Sequence, residues 1–525
     1  MKVISKVVYI AVLSFLFTFL INALNAQFSY TFQMDTIRIA EEARLHSFSY
    51  GRIGDSLFIF GGRTDGIHDK ASGFESNHAN KSLVIFNTNT NTANKISLSS
   101  LDTFMLDAIS SSNANFCQKE NKLIIIGGYG QNSLGKYTTY PSLIQLDLIK
   151  LVELIQNNQN ISLAFTQIRN DTFAIAGGQL KFIQDNFYLV GGHNFQGKYS
   201  NKPLEFKQTY SESAYVFSLL EENGILKSVI HNQIRDELNF HRRDFNLAPF
   251  QTSKNTIEPV AFSGVFTVNE SRPFLNISSI QKNGYTDIPD FNQKLANYQC
   301  AHIGFYSTQD DVANEVFFGG MAEYYLNNSD SLIHDLLVPF VKTISRIERN
   351  QDGSYQEFAL KEIKMPGFLG TNSEFILDKN ISLIHEGIID IDQIKNDINI
   401  GCIIGGIYNT SIRLNPWQDS MISLTTSNPY FIKVRLVKRD PNLVDSKILP
   451  EKNYPMHIFP NPADDFLNIS FNEELKNLSL WILNTEGKLI SYHKYDNTQQ
   501  LSIHVNGISS GQYHCYYLVN NVNLG

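Results

Sequence analysis

The chain has 525 residues, a formal net charge of -8 at pH 7 and a sequence pI of about 5.9. A nucleic-acid surface needs a basic patch, so this acidic balance argues against a nucleic-acid partner. The chain holds 37 Phe and 24 Tyr but only 2 Trp, and aromatic runs separated by Asn-rich turns favour an all-β protein.

The N-terminus has the pattern of a secretory signal peptide. Lys2 and Lys6 precede a 15-residue apolar run, Val7–Ile21, and small residues follow up to Ala26. This order of charged, apolar and small residues is typical of an export signal. The run is shorter than the ~20 residues of a spanning helix. We therefore predict a signal peptide over residues 1–26 and no stable membrane span.

Apolar runs that end on a glycine pair recur along the next 400 or so residues, the first being "FIFGG" and the second "LIIIGG". The pairs are Gly61 and Gly62, Gly127 and Gly128, Gly191 and Gly192, Gly319 and Gly320, and Gly405 and Gly406, with Ser263 and Gly264 as a weaker copy. Successive copies lie 56 to 86 residues apart. A recurring unit of this kind indicates a repeat architecture.

Each repeat reads as four antiparallel strands, a to d, with the glycine pair closing strand b. The six predicted a strands are Leu45–Arg52, Ala114–Lys119, Gln179–Gln184, Asn246–Thr252, Ala301–Ser307, and either Ser373–Leu377 or Ser382–Asp390. Five of the c strands are expected to pass through a tight turn into d, as at Asn223-Gly224. One such sheet cannot bury both faces, but six packed radially can, which is a six-bladed β-propeller over residues 27–438.

The last repeat lacks a d strand, whereas a spare strand, Phe28–Ile37, precedes the first repeat. We predict that this strand pairs with the last c strand, Tyr430–Val437, and closes the ring. The strands that end in Gly-Gly and the stretch "NKSLVIFNTNTNTANKISL" (Asn80–Leu98) resemble the kelch propeller family.

Residues 439–455 are polar and rich in proline, which is typical of a linker. Residues 456–525 then carry alternating strands around "IFPNPADDFLNISF". This region resembles the type A C-terminal sorting domain of the Bacteroidetes type IX secretion system. The resemblance rests on Pro460, Asn461, Pro462, Leu467, Ile469, Gly487, Gly511 and Tyr513. It implies a small Ig-like β-sandwich, recognition by the type IX secretion machinery, and a secreted or cell-surface protein.

Motifs that carry known chemistry are weak. "GISSG" (Gly507–Gly511) fits a nucleophile pattern but falls in a turn between strands rather than at a strand-to-helix elbow. "HEGII" at His385 lacks the second histidine of a zinc-protease helix. The four cysteines are far apart without CxxC spacing, which gives no support to a zinc site, and their apolar contexts favour free thiols. We predict no cofactor and no metal.

In a propeller of this kind the b–c loops and the d–a connections share one face. The b–c loops are long and aromatic, and loops on a rigid scaffold often carry function. Candidate ligand-binding residues on this face are Arg63, Tyr129, His193, Phe195 and Tyr324 from the b–c loops, with Arg242 and His302 from the d–a side. Residues that directly follow a glycine pair are expected nearest the axis.

These patterns favour an exported binding protein whose propeller presents a glycan or protein ligand face. Two alternatives stay open, because a fold does not determine a function. One is a kelch-scaffold enzyme that acts on carbohydrate, as an epimerase, mutarotase or oxidase. The other is a structural adhesin without a pocket.

Overall fold

The structure, a computed structural model, describes residues 28–67, 74–199, 205–270, 272–327, 329–410, 424–440, 445–448, 456–484 and 489–519. The chain divides into two compact units, Met1–Ile448 and Leu449–Gly525. The predicted signal peptide and Gly487 lie outside the described residues.

The first unit begins with a lone strand and the first three repeats. In chain order the elements are β1 (Tyr30–Arg38), β2 (Ser49–Ile53), β3 (Ser56–Phe60), β4 (Ser82–Asn87), β5 (Thr92–Ser97), α1 (Thr103–Ile109), β6 (Asn115–Lys119), β7 (Lys122–Ile126), β8 (Tyr129–Gln131), β9 (Tyr137–Thr139), β10 (Ser142–Asp147), α2 (Leu148–Gln156), β11 (Phe165–Arg169), β12 (Gln179–Ile183), β13 (Asn186–Val190), β14 (His193–Gly197), β15 (Phe206–Tyr210), β16 (Ser213–Glu222) and β17 (Ile225–Arg235).

The other three repeats complete this unit. Their elements are α3 (Glu237–Phe240), β18 (Asn246–Ser253), β19 (Thr256–Phe262), β20 (Ser278–Gln281), β21 (Gly284–Asp287), β22 (Ala301–Ser307), β23 (Val312–Phe318), β24 (Tyr324–Leu326), β25 (Leu332–His334), β26 (Ile344–Arg349), β27 (Tyr355–Ala359), β28 (Phe368–Leu369), β29 (Ser373–Leu377), β30 (Leu383–His385), β31 (Ile388–Asp390), β32 (Ile398–Gly405), β33 (Ile407–Asn409), β34 (Thr425–Ser427), β35 (Tyr430–Lys438) and β36 (Ser446–Ile448).

Six blades follow from the sheet topology. Each blade pairs its strands in the order a-b-c-d: β2-β3-β4-β5, β6-β7-β10-β11, β12-β13-β16-β17, β18-β19-β20-β21, β22-β23-β26-β27 and β29-β32-β35-β1. In the sixth blade the d strand is β1, which runs antiparallel to β35 from Tyr30 opposite Lys438 to Arg38 opposite Tyr430. The predicted closure of the ring by the N-terminal strand is confirmed.

The core of the ring lies between the blades. Six hydrophobic clusters each combine buried residues of two consecutive blades, because the apolar b and c strands are covered on both faces. One example is the cluster of Ile124 and Leu143 with Leu180 and Leu189, between the second and third blades. Equivalent clusters lie at the other four sequential junctions. A sixth joins Ile404 of the last blade to Leu57 of the first.

The glycine pairs fasten each blade to the next. The N–H of Gly62, Gly128, Gly192 and Gly320 donates to a d–a carbonyl oxygen of the following blade, over 2.7 to 3.1 Å. The preceding glycine makes this approach possible. At Gly127, with φ +70°, an added Cβ would lie 1.8 Å from the Ile175 carbonyl oxygen, so no other residue fits without a shift.

Several elements differ from the sequence predictions. A helix, α2, replaces the tight turn expected between c and d of the second blade, and α1 precedes that blade. Of the two candidates for the sixth a strand, Ser373–Leu377 forms it. The other segment forms β30 and β31, and β31 pairs in parallel with β22 on the fifth blade. β36, inside the predicted linker, adds to the same blade beside β27.

The second unit is a four-stranded antiparallel sheet of β37 (Met456–Phe459), β38 (Phe466–Asn484), β39 (Leu489–His504) and β40 (Tyr513–Val519). β38 pairs with each of the other three strands. Its register with β39 shifts between Ser470 and Leu475, and buried residues on both sides of the shift form one core. This unit therefore has a hydrophobic core of its own.

Candidate functional site

Twelve residues surround the ring axis on the face of the b–c loops. In every blade a backbone hydrogen bond of 2.6 to 3.0 Å joins the residue after the b strand's glycine to a residue of the d–a connection. The pairs are His46 with Arg63, Ser112 with Tyr129, Ala176 with His193, Arg243 with Val265, Tyr298 with Met321, and Thr371 with Ile407. All twelve line one cavity of about 110 Å³, which we call the axial cavity.

Aromatic rings form much of the wall of the axial cavity. Phe74 and Phe195 both pack edge-on against Tyr129, with ring centroids 5.1 and 5.3 Å away. The hydroxyl of Tyr129 donates to the Gly197 carbonyl over 2.7 Å, and burial raises its pKa. Tyr129 is thus a fixed, neutral part of the wall.

Both arginines of the cavity are paired with a carboxylate. Arg63 donates from Nε and Nη2 to the two oxygens of Asp65, over 2.9 and 2.5 Å. Burial alone would raise the pKa of Asp65, but its contacts with His46 and Arg63 outweigh that effect and lower it. Arg243 donates to Asp244 over 2.7 Å. The charged side chains of the cavity therefore carry no excess of positive charge.

His193 is a neutral ring in this setting. Burial, and then the charge of Arg243, lower its pKa well below the ordinary value of 6.5. The Gln208 amide nitrogen lies 2.6 Å from His193 Nδ1. Because an amide nitrogen can only donate, Nδ1 accepts and Nε2 carries the proton. At neutral pH the ring thus offers a hydrogen-bond donor rather than a charge.

Three residues that line the axial cavity carry buried oxygens without a hydrogen-bond partner among the described residues. They are Tyr298 Oη, Thr371 Oγ1 and Asn372 Oδ1. Leaving such a group unsatisfied costs about 1–3 kcal/mol. A polar molecule in the cavity, or water, would supply the missing partners.

The structure distributes the seven predicted candidates over four places. Arg63, Tyr129, His193 and Phe195 come together in the axial cavity. Tyr324 stacks on His334 at a centroid distance of 4.3 Å, within the β24–β25 hairpin. Arg242 is fully buried behind the wall, where its guanidinium lies 4.3 Å from the Phe274 ring.

The remaining candidate, His302, lines a second void of about 220 Å³, which we call the inner cavity. It lies among the a strands, and its lining includes Lys181 and Glu374. His302 Nδ1 is 2.6 Å from a carboxylate oxygen of the buried Glu315. This residue therefore does not share a site with Arg63, Tyr129 and His193.

Sequence reasoning overlooked Tyr298, Thr371 and Asn372. Of the two neighbouring arginines of the d–a connection it selected Arg242, whereas Arg243 lines the cavity. A signal exists for Arg243 and Tyr298. His46, Ser112, Ala176, Arg243 and Tyr298 each lie three residues before the first residue of an a strand. Aligning the repeats on that start would have selected this ring of positions.

In the C-terminal unit, Pro460, Asn461 and Pro462 are exposed in the connection between β37 and β38. Ile469 is fully buried in the core, with Leu467 and Tyr513 packed against that core. Gly511 lies in the exposed connection before β40. The motif therefore combines core residues with an exposed proline turn.

The described ranges carry no cluster of metal ligands. Nowhere in them are three or more His, Cys, Asp or Glu side chains placed to hold a metal ion. Cys117, Cys300, Cys402 and Cys515 are free thiols. Within the same ranges no helix has the length and apolar character needed to span a membrane.

The ring and the second unit define a secreted protein with a six-bladed β-propeller. Residues 457–523 match the secretion system C-terminal sorting domain family, and the second unit is the sorting domain. The protein is thus exported by the type IX system to the cell surface or the medium.

Other comparisons add little. No curated protein matches the chain. Among solved structures, one titled "Structure of YjhT" is 11% identical, covers 77% of this chain and 97% of that one, and superposes with a TM-score of 0.40. A similarity this low carries no argument, so the propeller assignment rests on the blades described above.

Proposed function

We propose that the protein is an exported binding protein whose axial cavity holds the terminal sugar unit of a glycan. One observation carries the proposal: three residues with unpartnered buried oxygens line a small cavity with aromatic walls. Binding sites for small molecules typically combine apolar and aromatic walls with a few well-placed polar groups.

The chemistry of the lining favours a neutral, hydroxyl-rich ligand. Sugar hydroxyls both donate and accept, so they suit the oxygens of Tyr298, Thr371 and Asn372 together with the N–H of His193. The apolar faces of a sugar ring can pack on Phe74 or Phe195. A phosphate would favour an unpaired cation, whereas Arg63 and Arg243 are each bound to an aspartate.

The two alternatives make weaker use of these features. In a purely structural adhesin, unsatisfied oxygens at the axis would lower the stability of the ring and would serve no binding role. A carbohydrate-acting enzyme would use the same cavity and would also bind a sugar there. Binding is therefore the property to test first.

The test is a glycan array probed with the purified secreted protein, followed by titration of the best glycan into variants. Tyr298→Phe removes one unpartnered hydroxyl and little else. We expect it to weaken binding about fivefold to tenfold, since a neutral hydrogen bond contributes about 1 kcal/mol. The melting temperature should stay the same or rise, because a buried unsatisfied group is removed.

Tyr140→Phe is the matched control. Tyr140 is also buried and its Oη also lacks a partner among the described residues, but it does not line the axial cavity. Its variant should bind glycan like the wild type. Equal losses in both variants, or no loss in Tyr298→Phe, would place the ligand elsewhere.

A further inference from the structure

A third void adjoins the axial cavity. It has a volume of about 240 Å³, and we call it the groove. Arg63, Phe74, Ser112 and Tyr129 line both voids, so the groove lies directly beside the cavity. A ligand longer than one unit would have to pass these four residues to reach from the cavity into the groove.

The walls of the groove come from three elements of the first two blades. One wall is the C-terminal end of α1, with Leu106, Asp107 and Ser110. The others are the turn at Ser76 and the strand β8 with the residues after it. Asp107 accepts from the Ser133 N–H over 2.8 Å, which fixes the β8–β9 turn against α1. The groove is thus preformed rather than assembled by the ligand.

The polar and charged side chains of the groove are nearly balanced in charge. Besides the aspartate-bound Arg63, its lining carries hydroxyl and amide side chains at Ser76, Ser110, Gln131 and Asn132, with the cation Lys81 and the anion Asp107. Ser110 is buried, and its Oγ has no hydrogen-bond partner among the described residues. Like Tyr298, Thr371 and Asn372 of the axial cavity, Ser110 therefore has a buried oxygen without a hydrogen-bond partner among the described residues.

We propose that the ligand is a linear oligosaccharide, with its terminal unit in the axial cavity and the following units in the groove. This inference rests on the proposed function and extends it from one sugar unit to a chain. Uncharged hydroxyls suit a lining of serine, glutamine and asparagine without an excess charge.

The experiment titrates the wild type with the best glycan of the array as its free terminal monosaccharide and as the matching trisaccharide. We expect the trisaccharide to bind about tenfold more tightly or better, because the groove adds contacts worth about 1.4 kcal/mol or more. Ser110→Ala should reduce this gain about threefold to tenfold. Ser76→Leu, which places bulk in the half-buried wall, should abolish it.

Neither groove variant should change the affinity for the monosaccharide. Ser345→Ala is the matched control, since Ser345 is buried, has an unpartnered Oγ among the described residues and lies in β26, outside the groove. This variant should leave both affinities unchanged. Thermal unfolding confirms that all variants are folded before they are compared.

The outcomes separate the two proposals. If no saccharide binds, or binding ignores Tyr298→Phe, the proposed function itself fails. If the monosaccharide binds through Tyr298 but the trisaccharide binds no more tightly, or Ser76→Leu leaves its gain intact, the groove inference is overturned alone. Binding of peptides that Ser76→Leu blocks, with no saccharide binding, would overturn the assignment to oligosaccharides.

Discussion

At the scale of single residues, burial raises the pKa of carboxyl groups in and beside the inner cavity. Desolvation raises the pKa of Glu374 to about 7, despite the opposing effect of Lys181. Burial also raises the pKa of Glu315 and lowers that of its partner His302 to about 3. We read this contact as a neutral pair, with the protonated carboxyl donating to the imidazole.

Glu374 makes the stability of the propeller depend on pH. Below its unfolded pKa of 4.5 the group is protonated in both states. As the pH rises from 4.5 to about 7, the unfolded chain releases the proton first, so the unfolded state is favoured and stability falls. Glu374→Gln should remove this loss and gain on the order of 1 kcal/mol relative to wild type between pH 5 and pH 8.

Chemical denaturation at both pH values measures this gain. Glu221→Gln, at an exposed position of the β16–β17 hairpin, is the control and should keep the wild-type pH profile. A variant at Glu374 whose profile also parallels the wild type would mean that the carboxyl is ionised in the folded protein.

The residues of the axial cavity were only partly predictable. Arg63, Tyr129 and His193 could be predicted because each directly follows a glycine pair, and the recurring pairs are visible in the sequence. To select Arg243 and Tyr298, the first residue of each a strand would have had to be predicted exactly. The first a strand shows the difficulty, because it begins at Ser49 rather than at the predicted Leu45. Their loop positions did not predict their burial, since Arg63 and Tyr129 are 4% and 5% exposed.

At the scale of elements, the glycine pair is the joint between blades, and this gives a sharp test. Gly127→Ala should lower the free energy of unfolding by more than about 2 kcal/mol. The added Cβ would collide with the Ile175 carbonyl oxygen and strain the hydrogen bond that this oxygen accepts from the Gly128 N–H. Gly224→Ala is the control. Its φ of +76° matches the +70° of Gly127, but a Cβ added there would have no atom within 4 Å.

In the control, the free energy of unfolding should fall only by the cost of a left-handed conformation at alanine, about 1–2 kcal/mol. Urea unfolding of both variants measures the difference between them. Equal losses would mean that backbone conformation alone, rather than contact between blades, requires the glycine.

The strands were easier to predict than the helices. Four-stranded blades follow from apolar runs and turn residues that recur six times. By contrast, α2 begins directly after β10 and buries Leu148, Leu151 and Leu154, so its apolar residues merge with those of the strand before it. A helix of nine residues that directly follows an apolar strand has too short a helical periodicity of its own to be distinguished in the sequence.

At the scale of the whole molecule, the ring is fastened at both ends of its chain. β1 completes the sixth blade, and the segment after β35 returns to the fifth. Asp445 lies 3.3 Å from the buried Arg346 and 2.8 Å from Arg439. Ile448 packs in a cluster with Leu295 and Ala359. The propeller therefore includes residues that composition alone assigns to a linker.

This arrangement predicts different results for two truncations. A chain that ends at Ile448 keeps every contact of the ring, so its propeller should unfold at the wild-type denaturant midpoint. Without residues 449–525 it loses the sorting domain, and we expect it to remain in the periplasm instead of reaching the surface or the medium. Cell fractionation with immunodetection measures the second effect, independently of the first.

A chain that ends at Lys438 lacks the sorting domain as well, so it should be retained in the same way. It also loses β36 and the Asp445 partner of Arg346. Because Arg346 keeps Glu348 as a buried partner, the loss of stability should stay below the about 3–5 kcal/mol of leaving a buried charge unpaired. We therefore expect a lower midpoint for this chain alone. Equal midpoints would show that residues 439–448 do not stabilise the ring, and unfolding of the longer chain would show that the two units form one cooperative domain.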